Sequence, residues 1–267
     1  MGISVEIPAP SRTIEGYLAV PSGSRGPHPG LVVIHEIWGL DDHIRSVADR
    51  FTQEGYVVLA PDLYTGEFRE DMRPERIRAG MQILRSAPPE VQRDPRQLQA
   101  RLGERTPEER KALTTLMRVM DPSQQKVFAE ELTGATRFLR ERPEVKPRGV
   151  GALGFCMGGG LVARLATLDP ELKAAVIFYG SNPPIEEVPR IRAAVLGLYG
   201  GEDHRITDTV PEFQEAARRA GIRFQQHVYP GAKHAFFNDS RPEVYDARAA
   251  ADAREKVLEF LHRELSP

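Results

Sequence analysis

Short apolar runs bounded by turn residues recur along the chain and predict strands. Ser4–Pro8 and Thr13–Val20 alternate polar with apolar residues, the pattern of an antiparallel pair at a sheet edge. Leu31–Ile34 and Tyr56–Ala60 are instead continuous and β-branched, as parallel strands covered on both faces are. Gly149–Phe155, Ala174–Tyr179, Ala194–Tyr199 and Phe224–Tyr229 complete the set. Between the runs the period changes. Over His43–Glu54 the apolar residues Ile44, Val47, Ala48 and Phe51 fall on one helical face, and Gly55 stops the helix. Gly160–Leu168, Pro211–Ala220 and Val244–Arg263 read as further helices. Strands alternating with helices predict a mainly parallel central sheet flanked by helices, with ligands meeting the carboxyl ends of the strands.

The stretch from Tyr64 to Arg148 interrupts this rhythm, since one crossover helix would suffice there. Helices are predicted around Pro74–Ser86, Pro95–Gly103, Pro107–Met120 and Ser123–Arg140, several with proline at the start, where its missing N–H does least harm. The last serves as the crossover into the Gly149 strand. No linker composition and no internal repeat appears, so residues 1–267 are expected to form one domain with a helical insertion over 67–125. That insertion has two readings: a cap over the active site, or a surface decoration away from it.

Composition narrows the function. A chain of 267 residues with 40% hydrophobic and 28% charged residues buries a substantial core. A net charge of -2 gives no electrostatic reason to expect a nucleic-acid partner. No apolar run is long enough to span a membrane, and MGISVEIPAP lacks the basic-then-apolar pattern of a signal peptide, so a cytoplasmic location is expected. The single cysteine excludes an intrachain disulfide and fits a reducing compartment. Nothing in the sequence sets an oligomeric state.

That cysteine sits in Gly154-Phe155-Cys156-Met157-Gly158-Gly159-Gly160, after a strand and before a helix. Small residues two before and two after a nucleophile are what a strained strand-to-helix turn requires, and the pattern marks the nucleophile elbow of the α/β-hydrolase fold, with Cys in place of the commoner Ser. The first turn of a helix also favours a thiolate. In this fold an acid and then a histidine follow the nucleophile. Asp203 leaves a strand through Gly200-Gly201-Glu202, and His234 follows Tyr229 through a second glycine turn. Asp203 would fix the imidazole tautomer, while His234 would ionise the thiol and protonate the leaving group. Glu202 and Asp208 are alternative acids, and His204 reads as a loop residue. The loop His35-Glu36-Ile37-Trp38-Gly39 follows the Leu31 strand, where the fold supplies one oxyanion N–H; the other comes from the residue after the nucleophile, which assigns Ile37 and Met157. Glu36 reads either as an auxiliary acid aimed at the nucleophile or as a structural salt bridge or cap.

Together with Ala60-Pro61-Asp62-Leu63-Tyr64 and Lys233-His234-Ala235-Phe236-Phe237-Asn238-Asp239, these segments resemble the dienelactone hydrolase family over nearly the whole chain except the insertion. The resemblance implies cleavage of a small ester or enol-lactone by Cys156, His234 and Asp203, with no cofactor and no metal. It also implies that Glu36 contacts the thiol and shifts when substrate arrives. Well-studied members of that family hold the substrate carboxylate with two arginines, one of them four residues after the histidine. Here that position is Asn238, a departure that argues against dienelactone itself as the substrate. Arg241, Arg76, Arg78 and Arg85 are the arginines left to substitute. The competing readings are a short-chain carboxylesterase or thioesterase, a non-catalytic binding protein on the same scaffold, and a redox role for Cys156, the last disfavoured because no second cysteine exists to resolve a sulfenic acid.

Overall fold

The computed structural model describes residues 2–23, 26–88 and 105–265. Its sheet has eight strands: β1 (Ile3–Pro8), β2 (Thr13–Ala19), β3 (Gly30–Ile34), β4 (Val57–Asp62), β5 (Val150–Phe155), β6 (Ala174–Phe178), β7 (Ala194–Gly200) and β8 (Phe224–Tyr229). They lie in the order β1-β2-β4-β3-β5-β6-β7-β8. The alternating segments β1 and β2 pair antiparallel at one edge, and β2 meets β4 antiparallel. Every other pair is parallel. This is the α/β-hydrolase arrangement.

The two faces of the sheet explain the continuous apolar runs. Along β3, Val32 and Ile34 enter one core cluster while Leu31 and Val33 enter the other, and β4 divides in the same way. With both faces covered, the fully buried stretches Gly30–Ile34 and Val57–Pro61 carry no polar side chain. Helices α4 (Pro122–Glu141), α5 (Met157–Leu168) and α7 (Val210–Ala220) cover the first face. Helices α1 (Asp42–Gln53) and α8 (Ala247–Leu265) cover the second. No described helix is long and apolar enough to cross a membrane.

Two boundaries differ instructively from the sequence reading. The last helix begins at Ala247 rather than Val244, because Asp246 accepts from the N–H groups of Arg248 and Ala249, each at 3.0 Å, and so caps it. Val244 continues the apolar period past the cap but belongs to a turn, its N–H donating to the Arg241 carbonyl at 3.1 Å. Helix α5 starts directly at Met157, although a run of three glycines lowers its helical propensity.

Between β4 and α4, α2 (Pro74–Ser86) and α3 (Pro107–Met120) pack against each other. A reciprocal box between Thr106 and Glu109 caps α3. Ile77, Leu116 and Val119 join Phe68, Tyr64 and Ile37 in the first core cluster. The expected Pro95–Gly103 helix lies outside the described residues.

Candidate active site

The central strand β5 runs straight into the elbow. Cys156 has φ 55 and ψ -115, a conformation that costs a non-glycine residue free energy and that its surroundings must hold. The Cys156 N–H donates to the Phe178 carbonyl at 3.0 Å, and its own carbonyl accepts from the Gly160 N–H at 3.2 Å. A Cβ on Gly154 would stand 2.2 Å from the Gly158 carbonyl oxygen, and one on Gly158 would stand 2.4 Å from that of Ile34. Both glycines are therefore set by contact with backbone, and the start of α5 lies directly against the end of β3.

The acid and histidine loops are joined through their backbones. The Gly201 N–H donates to Tyr229 and the Glu202 N–H to Ala232, at 2.8 and 2.9 Å. Gly200 permits this approach, since a Cβ there would lie 2.6 Å from the Ala232 oxygen. Asp203 is buried at the start of a short helix, α6 (His204–Thr207), without its side chain capping that helix. Its carboxylate instead accepts a hydrogen bond from His234 Nδ1. The alternatives Glu202 and Asp208 are exposed, and Asp208 faces the exposed His204 at 3.5 Å.

Cys156 acts on His234 as well. Burial disfavours the imidazolium, but hydrogen bonds to Asp203 and Cys156 and their negative charges outweigh it, and the pKa is pushed up to about 10. An unfolded histidine titrates near 6.5. The ion pairing therefore stabilises the fold fully below that pH and is lost as pH rises through about 10. Because Cys156 contributes to the rise, the His234 imidazole of a Cys156→Ala protein should titrate measurably lower. Nitrogen NMR of the ring reads this directly, and an unchanged titration would mean that sulfur and ring do not interact.

Glu36 is buried, with Oε2 accepting from Asn238 Nδ2 at 2.6 Å. Burial raises its pKa, against the Asn238 hydrogen bond and the nearby charges of His43, His234 and Arg241. Asn238 is pinned in turn, its Oδ1 accepting from the N–H and hydroxyl of Ser240. Asn238 thus presents a neutral amide to the glutamate. Among the arginines left to substitute, Arg241 is the one whose charge reaches Glu36, and its guanidinium lies over the Trp38 ring, 5.7 Å from the centroid. Arg241 is itself bonded to Glu243 at 2.8 Å, as Arg76 is paired with Asp71; Arg78 is exposed, and the Arg85 side chain lies outside the described residues.

Several residues here carry no strong sequence signal. Tyr179, just past β6, has φ 40 and packs its ring on His234 at 5.1 Å. Burial and the charges of Glu36 and Cys156 raise its hydroxyl well above the ordinary tyrosine range. His43 on α1 is buried and bonded to Asp239 at 3.0 Å. Neither the Ile37 nor the Met157 N–H has a protein acceptor among the described residues.

The profile of the dienelactone hydrolase family matches residues 14–265. The chain belongs to that family. It is thereby a carboxylic ester hydrolase. A candidate carboxymethylenebutenolidase from Saccharolobus solfataricus is 37% identical over 252 residues, covering 94% of each chain. Another from Synechocystis is 32% identical and covers 98% of this dienelactone hydrolase family member and 96% of its own length. A crystal structure of a candidate dienelactone hydrolase from Klebsiella pneumoniae is 28% identical with a TM-score of 0.70, covering 98% of this chain and 99% of that one.

Proposed function

We propose that the chain cleaves a small carboxylic ester or enol-lactone through a thioester acyl-enzyme on Cys156. The observation that carries this reading is the His234 Nδ1 bond to the buried Asp203, with the Cys156 side chain acting on the same imidazole. In the proposed cycle His234 takes the thiol proton and the sulfur attacks the ester carbonyl. The N–H groups of Ile37 and Met157 stabilise the resulting oxyanion, and His234 then protonates the leaving oxygen. Water, activated by the same imidazole, hydrolyses the thioester. Asp203 holds the ring in the required tautomer and favours its cation.

Arg241 is the proposed receptor for an acidic group on the substrate, taking over from the arginine that Asn238 replaces. The insertion is proposed as one wall of the entrance, since Ile77, Leu116 and Val119 share a core cluster with Tyr64 and Ile37. The deciding experiment is a panel of short nitrophenyl esters, acyl-CoA thioesters and enol-lactones, run beside Cys156→Ala. Turnover confined to acyl-CoA would replace the ester reading with a thioesterase, and binding without turnover would leave a non-catalytic scaffold.

Glu36 is proposed as a brake on the thiolate. Its charge and that of Cys156 both act on the Tyr179 hydroxyl, which supports a carboxylate close enough to influence the sulfur. Negative charge there makes a second negative charge costlier, and thiolate character governs oxidation. Glu36→Gln should therefore be inactivated by hydrogen peroxide several-fold faster than the parent at neutral pH. Equal rates in two folded proteins would reduce Glu36 to a structural partner of Asn238.

A further inference from the structure

We infer that His35 is a positioning residue of the oxyanion hole, its ring holding the Glu36–Ile37 peptide so that the Ile37 N–H faces the Cys156 site. The inference rests on the acyl-transfer reading above and assigns a role to a residue that the triad leaves idle. A trans peptide is planar, with its carbonyl and N–H pointing in opposite directions, so whatever fixes the Glu36 oxygen also fixes the Ile37 N–H.

That oxygen is held by His35 Nδ1 at 2.6 Å, with the Gly39 N–H as a second donor at 3.3 Å. A carbonyl only accepts, so Nδ1 carries the hydrogen. At the other end of the ring, Nε2 lies 3.3 Å from the Leu63 nitrogen, whose N–H only donates, so Nε2 is bare. The two partners together select one neutral tautomer, and full burial of the ring opposes its protonation. The next peptide is held as well. The Tyr64 hydroxyl donates to the Ile37 carbonyl at 2.9 Å and lies 3.9 Å from Met157 Sδ, while its ring packs on His35 at 5.0 Å. Leu63 and Tyr64, in the turn just past β4, thus brace the loop that carries Ile37. Histidine suits the position because one rigid ring bridges an acceptor on its own loop and a donor on the neighbouring strand end.

The test separates acyl transfer from simple thiol reactivity. Acylation by a nitrophenyl ester passes through an oxyanion, whereas alkylation by iodoacetamide is a direct displacement at carbon and forms none. In His35→Leu, kcat for the ester should fall roughly ten- to hundredfold with KM little changed, less than the ~10²–10³ for outright loss of an oxyanion donor. The alkylation rate of Cys156 should stay at the parental value. Asparagine places an amide N–H near the Nδ1 position, and glutamine places one near Nε2. His35→Asn should therefore recover most of the rate and His35→Gln should not, a contrast that decides the matter even if the leucine variant fails to fold. Acylation and alkylation falling together would make the ring a support of the triad and overturn the inference, as would an unchanged ester rate or equal rates in the two amide variants. Failure of the underlying reading is separately visible: iodoacetamide would then modify Cys156 of the parent protein without inactivating it.

Discussion

Replacing Cys156 with alanine should lower ester cleavage by roughly three orders of magnitude or more, and adding His234→Ala to that protein should cost almost nothing further. The non-additivity follows from the geometry. His234 has no thiol to ionise once the sulfur is gone, and Asp203 has no catalytic imidazolium to support. Asp203→Asn alone should be severe for a different reason: its amide can present a donor where the carboxylate accepts from Nδ1, which turns the ring toward the wrong tautomer. Single-turnover acylation, followed by release of nitrophenol, checks all three. If Cys156→Ala kept most of the activity, a water-activating mechanism on His234 would have to replace the acyl-enzyme, while the family assignment would stand.

The residues at the centre of this proposal were legible in the sequence because their signals are local. The elbow needs glycines at fixed offsets from Cys156, and those offsets survive in a linear string. The strands were legible for a similar reason, since burial on both faces leaves a run such as Leu31–Ile34 no polar position. Asp203 was harder, because the sequence offers Glu202 and Asp208 nearby. What separates them is burial, decided by the Gly201 and Glu202 N–H groups joining their loop to the one before His234. His35 and Tyr64 lie in segments that carry the resemblance, but their roles, like that of Tyr179, are not local: each acts through partners distant along the chain, as His35 does through Leu63, 28 residues away. The start of α8 is not legible in this way, because an apolar period says which face is buried and not where the helix is capped.

The second large effect concerns the contact between α5 and β3, and it separates two glycines of one helix. Gly158→Ala would place a Cβ 2.4 Å from the Ile34 carbonyl oxygen and 2.5 Å from that of His35, both backbone atoms at the root of the oxyanion loop. Neither can rotate away, so the helix and strand must part, at a cost of about 3 kcal/mol. Alanine regains only ~1 kcal/mol of helix propensity. The net loss of about 2 kcal/mol should lower Tm by roughly 4–8 °C, and the displaced loop should slow ester acylation by more than about tenfold. Gly160→Ala meets instead the Ser181 hydroxyl at 2.5 Å, the end of an exposed side chain that is free to change rotamer. There the propensity gain remains, and Tm should hold or rise by up to about 2 °C. Thermal unfolding of the two single variants, with their acylation rates, tests the contrast. Equal losses at both positions would point to a general intolerance of side chains in the first turn of α5, and the specific contact with the β3 carbonyls would lose its explanatory force.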